Sequence, residues 1–330
     1  MSFTRRGLGH LALAAGAALA APSVRAQGAW PDRPLRLIVP FPPGGAADII
    51  GRQLAAHLQG ALGRPVVVDN RGGAGSSIGV DALAKAAPDG YTVGLVNIAA
   101  NAILPAIRRQ PVPYDPVADF APIANLIVTP NLLLVNREKL PDVRTLADLV
   151  ARARANPDGL DYASSGVGSS LHLAMELFLA GAGVRMTHVP FNGGGPALQG
   201  LLSGTVHCSI DVAATTIPHV RENRLVALAT TMPRRLPALP DLPALVETYP
   251  GTDIASWHGF AAPPGTPAPI LARLASDTQA FLRAPETVER LRSQWLEPAI
   301  EVEPAAFRAF MIAERDKFRR VAEARGIRVD

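Results

Sequence analysis

Three loops concentrate the residues able to receive an anion. The first is Pro40-Phe41-Pro42-Pro43-Gly44-Gly45-Ala46-Ala47-Asp48. Its glycines precede a helical pattern, so Gly44, Gly45 and Ala46 bring unbonded N–H groups to a helix start, where negative charge is favoured. Asp48 falls in the first turn and can cap or brace the loop. The second is Ser164-Ser165-Gly166-Val167-Gly168-Ser169-Ser170, also ahead of a helix. A serine cap accounts for one of its hydroxyls but not for the other three. The third is Pro190-Phe191-Asn192-Gly193-Gly194-Gly195-Pro196, with the proline well placed for a first helical turn. Asp211 closes a strand-like run and fits either a cleft or a helix cap before Thr215.

Nothing in these residues assembles an enzyme. Ser165 lacks a Gly-x-Ser-x-Gly frame. His207 and Cys208 are neighbours in a strand-like run, so their side chains point to opposite faces. His172 has no histidine at metal-ligand spacing and reads as structural. No cofactor and no metal are expected. The sharpest rival is an exported nucleotide-dependent oxidoreductase. It rests on Val66-Val67-Val68 followed by Gly73-Ala74-Gly75-Ser76-Ser77-Ile78-Gly79, a loosened dinucleotide loop. Gly166-Val167-Gly168 fits that pattern less well, with Leu171 where a third glycine belongs.

The elements around these loops alternate. Leu35–Val39, Val66–Val68 and Tyr91–Val96 read as strands, with helices over Asp48–Leu62 and Ile78–Ala87 between them. Ile123–Val135 is a long apolar segment broken at Thr129-Pro130-Asn131. A second unit follows, with strands at Asp161–Ala163, Met186–Val189 and Val206–Ile210 and helices at Ser169–Leu179 and Pro196–Leu202. Trp257–Ala262 returns the chain to the first unit, and helices around Pro269–Arg283 and Pro304–Arg325 finish it. This rhythm predicts an α/β protein with two lobes, each a mostly parallel sheet flanked by helices. Residues 27–126 and 250–330 form the first lobe and residues 127–249 the second. A ligand between them meets the loops at the carboxyl ends of the strands.

The N-terminus reads as an export signal. Arg5 and Arg6 precede the apolar run Leu11–Ala21, and Val24-Arg25-Ala26 fits a cleavage site, so residues 1–26 are expected to be removed. The run is too short to cross a hydrocarbon core about 30 Å thick. Thr4-Arg5-Arg6-Gly7-Leu8 also resembles a twin-arginine signal. Removing the signal takes three arginines and leaves 29 basic against 28 acidic residues, a formal balance of +1. So even a balance gives no field to draw nucleic acid or a membrane surface. Cys208 is the only cysteine, which rules out an intramolecular disulfide.

Long motifs, in order, resemble the Bug-type receptors of tripartite tricarboxylate transport systems. They are Pro31–Phe41, Gly44–Asp48, Gly63–Arg71, Ala87–Thr92, Tyr162–Ser169 with His172-Leu173-Ala174 and Glu176, and Trp257–Pro263 with Gly265-Thr266-Pro267. The similarity runs from about Trp30 to the C-terminus. It implies a periplasmic-binding-protein fold that closes on a small carboxylate, amino acid or aromatic acid. It further implies delivery to membrane permease subunits or signalling to a sensor protein, with the receptor a monomer in the periplasm. Carried over by motif, the ligand contacts are Phe41, Gly44, Gly45, Ala46, Asp48, Ser165, Gly166, Gly168, Ser169 and Asp211, with Asn97 after a strand. Asn192 and Gly193 complete the set from the third loop. That loop usually reads Pro-Tyr-Lys-Gly, and Phe191 and Asn192 here remove a hydroxyl and an ammonium. The departure implies a smaller, less anionic or more apolar solute.

Overall fold

The computed structural model describes residues 30–191 and 193–328. The expected signal segment, its cleavage site and Asn192 lie outside the described residues. Arg33–Asp330 form one unit.

Within Arg33–Asp330 the strands sort into two sheets. The first has the order β11-β4-β10-β3-β1-β2. Its members are β1 (Leu35–Val39), β2 (Val66–Asn70), β3 (Thr92–Asn97), β4 (Ala121–Thr129), β10 (Ser256–Ala262) and β11 (Glu297–Pro298). The second, β7-β6-β8-β5-β9, is built from β5 (Asn131–Asn136), β6 (Asp161–Ser164), β7 (Thr187–Pro190), β8 (Cys208–Val212) and β9 (Leu225–Thr230). The first sheet keeps Ile127–Thr129 as the end of β4, and the chain leaves it at Pro130, which cannot donate to either ladder.

Both sheets are mixed. The strand–helix–strand units supply the parallel pairs: β1 with β2 and β3, and β6 with β7 and β8. The strands that carry the chain between sheets run the other way. β10 is antiparallel to β3 and β4, and β5 is antiparallel to β8 and β9. The β-loop-α rhythm reveals only the first kind, because a returning strand has no helix of its own to announce its direction.

Helices cover the central strands, which are buried on both faces and read as continuous apolar runs, while the edge strands β2 and β7 are partly exposed. Leu37, Ile38, Val39, Leu95 and Leu132–Val135 are fully buried. Helix α1 (Ala46–Leu62) packs on β1 and β2 and ends at Gly63, whose φ of 65° gives the left-handed C-cap. Helix α2 (Ser77–Ala84) lies against β1 and β3. After β3 a π-helical turn (Ala99–Ile103) runs into the short helix α3 (Leu104–Ile107). Helix α4 (Leu146–Ala155) opens on a capping box of Thr145 and Asp148. Helices α5 (Ser170–Ala182), α6 (Gly194–Leu202) and α7 (Ala213–Arg221) serve the second sheet. Helices α8 (Ala268–Arg283), α9 (Pro285–Ser293) and α10 (Pro304–Arg325) complete the first. The strand expected at Val206–Ile210 sits two residues later, which makes Asp211 part of β8. His207 therefore precedes the strand, where its Nδ1 accepts the Asp161 N–H at 3.0 Å. Cys208 is buried, and that burial pushes its thiol up to about 12.

Candidate functional site

The first loop is held from inside. Asp48 is 4% exposed. Its carboxylate accepts the Gly44 N–H at 3.0 Å, Arg52 Nε at 2.9 Å and Asn70 Nδ2 at 3.0 Å. Asn70 Nδ2 also reaches Phe41 O at 3.0 Å, tying β2 to the loop. Burial opposes ionisation, yet the bonds from Arg52, Gly44 and Asn70 outweigh it and hold the Asp48 carboxyl below its ordinary range. Asp48 and the Gly44 N–H thus brace the loop. Gly45, the N-cap residue, brings no side-chain hydrogen bond to the helix start, so the Gly45 and Ala46 N–H groups open α1 without a cap. A cavity of about 330 Å³ lies in front of them, between Phe41, Pro43 and His258.

The second loop follows β6. Ser169 is the N-cap of α5 and accepts the His172 N–H at 3.2 Å. Ser164 is turned inward: its Oγ accepts the Gly166 N–H at 3.2 Å and lies 2.7 Å from His188 Nε2. The Gly168 N–H is held by His172 Nδ1 at 3.1 Å. Gly166 and Gly168 have φ of 127° and 77°, in the left-handed region that glycine tolerates. The half-buried Ser165 and the exposed Val167 face outward. Together with Phe41, Leu104 and Arg108 they line a cavity of about 540 Å³. Ala74 and Gly75 form part of the same wall. The glycine-rich segment suspected of nucleotide binding is therefore a side of this cavity.

The third loop packs more than it presents. The Phe191 N–H donates to Ser164 O at 3.0 Å, and its ring lies so close to Gly200 of α6 that a Cβ there would sit 2.5 Å from it. Phe191 belongs to the apolar cluster of the second lobe. Gly193, with φ of 111°, starts α6 without a side-chain cap.

Three further polar groups have unmet bonding capacity. Asp211 is 3% exposed; its Oδ1 accepts the Val212 N–H at 2.7 Å and its Oδ2 has no partner. Burial pushes its carboxyl up to about 6. Asp211 lies near the carboxyl end of β8, two residues past Ser209, which pairs with Ala163 of β6, and it faces Leu132 across the β5–β8 ladder. Asn97 Oδ1 accepts from Ser76 Oγ and from the Ala99 and Ala100 N–H groups, whereas its Nδ2 is unpaired. Across the ladder from Asn97 is His258, whose Nδ1 is also unpaired and which burial pushes down to about 4. The Phe41 ring meets His258 edge-on at 5.5 Å.

Arg108 and His258 were not among the residues picked from the sequence. Arg108 follows a helix too short to announce itself, and no carboxylate pairs with it among the described residues. His258 comes from a strand more than 150 residues beyond Asn97 in sequence, and only the sheet brings them together. No group of three or more His, Cys, Asp or Glu suited to a metal occurs among the described residues.

Two α/β lobes with glycine- and serine-rich loops at their facing strand ends define a periplasmic solute-binding protein. The chain belongs to the family described as tripartite tricarboxylate transporter family receptor, which matches residues 50–327. It is 35% identical over 301 residues to BugT of Bordetella pertussis, covering 91% of each chain. Among solved structures it is similar to R. palustris Rpa4515 with adipate, at 36% identity and a TM-score of 0.78, over 91% of this chain and 99% of that one. MatC from Rhodopseudomonas palustris, with bound malate, is 30% identical with a TM-score of 0.73, over 88% and 99% of the two chains. The family is one of solute-binding receptors, not of catalysts.

Proposed function

We propose that this receptor captures a small dicarboxylate with an apolar middle and delivers it to membrane subunits of its transporter. The observation that carries this reading is the cavity of about 540 Å³ whose lining includes both the Ser165–Ser170 segment and Arg108, which has no carboxylate partner among the described residues. One carboxylate meets the Ser165 hydroxyl and the uncapped N–H groups of Gly45 and Ala46. The methylene segment lies along Phe41, Leu104 and Val167, and the second carboxylate faces Arg108. Each charge-assisted hydrogen bond contributes roughly 1.5–3 kcal/mol, and micromolar affinity needs about 8 kcal/mol net.

Asp211 adds a preference. Its vacant, buried Oδ2 accepts from a donor, so a hydroxyl or ammonium on the solute, as in a hydroxy or amino diacid, relieves an unpaired group. The bound malate and adipate of the two relatives support a dicarboxylate class. Closure of the lobes on the solute makes the surface that the membrane subunits recognise. The mature receptor starts near Gln27, in the periplasm.

Thermal-shift screening tests the reading. Adipate, glutarate, malate, aspartate and benzoate are compared with neutral diols of equal length. The dicarboxylates raise the melting temperature and the diols do not. A panel in which no diacid produces a shift overturns the proposal.

A further inference from the structure

A stack of ionisable rings lies under the second loop and contributes nothing to the contacts proposed above. The His172 ring, from the first turn of α5, stacks on His188 of β7 with centroids 4.0 Å apart and planes 10° apart. His188 stacks in turn on Tyr162 of β6 at 4.8 Å and 15°. The Tyr162 hydroxyl donates to Glu176 Oε1 at 2.6 Å. This stack grips the loop at two points. His188 Nε2 lies 2.7 Å from Ser164 Oγ, which accepts the Gly166 N–H. His172 Nδ1 accepts the Gly168 N–H at 3.1 Å. Gly166 and Gly168 both sit in the left-handed region, so the loop has no regular ladder to keep its shape and depends on such bonds.

We propose that His172, backed by His188, is a proton-sensitive positioning residue: its neutral imidazole holds the Gly168 N–H and thereby sets the shape of the 164–169 loop. An imidazole accepts a hydrogen bond only at an unprotonated nitrogen. Accepting at Nδ1 leaves the proton on Nε2, which faces Glu176 Oε1 at 4.0 Å. A second proton places an N–H at Nδ1 against the N–H of Gly168, and two donors cannot bond. The titratable groups facing His172 are Glu176 on its own helix, His188 from β7 and Tyr162 from β6. Burial and the neighbouring His188 push His172 down to about 4, and Glu176 works against them. The bonded, neutral form is therefore the resting form at neutral pH. The effect on solute capture rests on the role proposed above for this loop; the hydrogen bond itself does not.

Amide hydrogen exchange on the ligand-free protein tests the inference without a solute. In H172A, protection of the Gly168 amide falls at least tenfold at pH 7, while amides in β6 and β8 keep theirs. In H172N the side-chain oxygen takes the place of Nδ1 and does not titrate, so protection stays within threefold of wild type. In wild type the Gly168 amide resonance moves with the protonation of the His172 ring, and in H172N it does not move. Unchanged protection in H172A, equal loss in H172N and H172A, or a Gly168 resonance indifferent to His172 overturns the inference. Adipate affinity is the second readout, falling at least tenfold in H172A and staying within threefold in H172N. If wild type binds no adipate, the proposed solute class fails, and the exchange and resonance measurements alone decide the role of His172.

Discussion

Replacing Asp211 with Asn tests the cost of its buried charge and, with it, the role proposed for Asp211 in binding. The Asp211 carboxylate is 3% exposed, and one of its oxygens has no partner. Burial raises its pKa from 3.8 to about 6. The folded protein therefore holds a proton that the unfolded chain releases between about pH 4 and 6, and stability falls as pH rises through that window. Above pH 6 both states are ionised and the full cost remains. A tenfold change in proton affinity is worth about 1.4 kcal/mol, which puts the cost at roughly 3 kcal/mol. Asn removes the charge but leaves an unpaired amide N–H₂, which gives back roughly 1 kcal/mol. D211N is thus expected to be about 2 kcal/mol more stable than wild type at pH 7.5, read from urea unfolding. The gain disappears near pH 4, where the aspartic acid is already neutral. Its affinity for hydroxy or amino diacids falls. A D211N protein no more stable than wild type at pH 7.5, or a gain independent of pH, refutes the reasoning.

Other substitutions separate support from contact. D48A leaves the Gly44 N–H without its acceptor, takes one of two acceptors from Asn70 Nδ2 and removes the carboxylate partner of Arg52, and is expected to cost about 2–3 kcal/mol in chemical denaturation. G79A places a Cβ 2.6 Å from Arg71 O and 2.7 Å from Pro40 Cα, both backbone atoms, and is expected to cost about 1–3 kcal/mol. G60A, on the exposed face of α1, meets nothing within 4 Å and is expected to leave stability unchanged or raise it by up to about 1 kcal/mol, which makes it the matched control. R108A weakens dicarboxylates roughly tenfold to a hundredfold in calorimetry and leaves monocarboxylates nearly unchanged. His172 and His258 are both pushed down to about 4, so between pH 6.5 and 4 the unfolded chain binds protons that the folded one refuses. Their stabilisation is lost as pH falls through that window and outweighs the opposite contribution of Asp211, so the urea midpoint drops from pH 7 to pH 4.5. A rising midpoint contradicts this.

The lobed α/β architecture was legible because its strands are uninterrupted apolar runs and its helices begin at glycine-rich turns. Leu35–Val39 and the helix ending at Leu62 need only local rules. The antiparallel strands were not legible, since direction is a property of the returning chain and not of a segment such as Trp257–Ala262. The site divides in the same way. Hydroxyls and glycines identify the loops, but not which groups turn inward. Asp48 in the first turn of α1 could be read as a cap or a brace, but Ser164 at the end of β6 is shown to be a support only by its hydrogen bonds. The Ser169 cap follows from its position before α5, a local matter. Phe191, whose type suggested a more apolar pocket, spends its ring on Gly200 instead. Arg108 and the His172–His188 stack depend on tertiary placement, and no local pattern marks them.

The central claim is that the cleft recognises a carboxylate at each end of its solute. Calorimetry with adipate and with its neutral diamide, on the same preparation of the mature chain, tests it most directly. The account predicts micromolar binding of adipate, no detectable binding of the diamide, and loss of most of the adipate affinity in R108A. Equal binding of acid and diamide, or adipate affinity untouched by R108A, contradicts it.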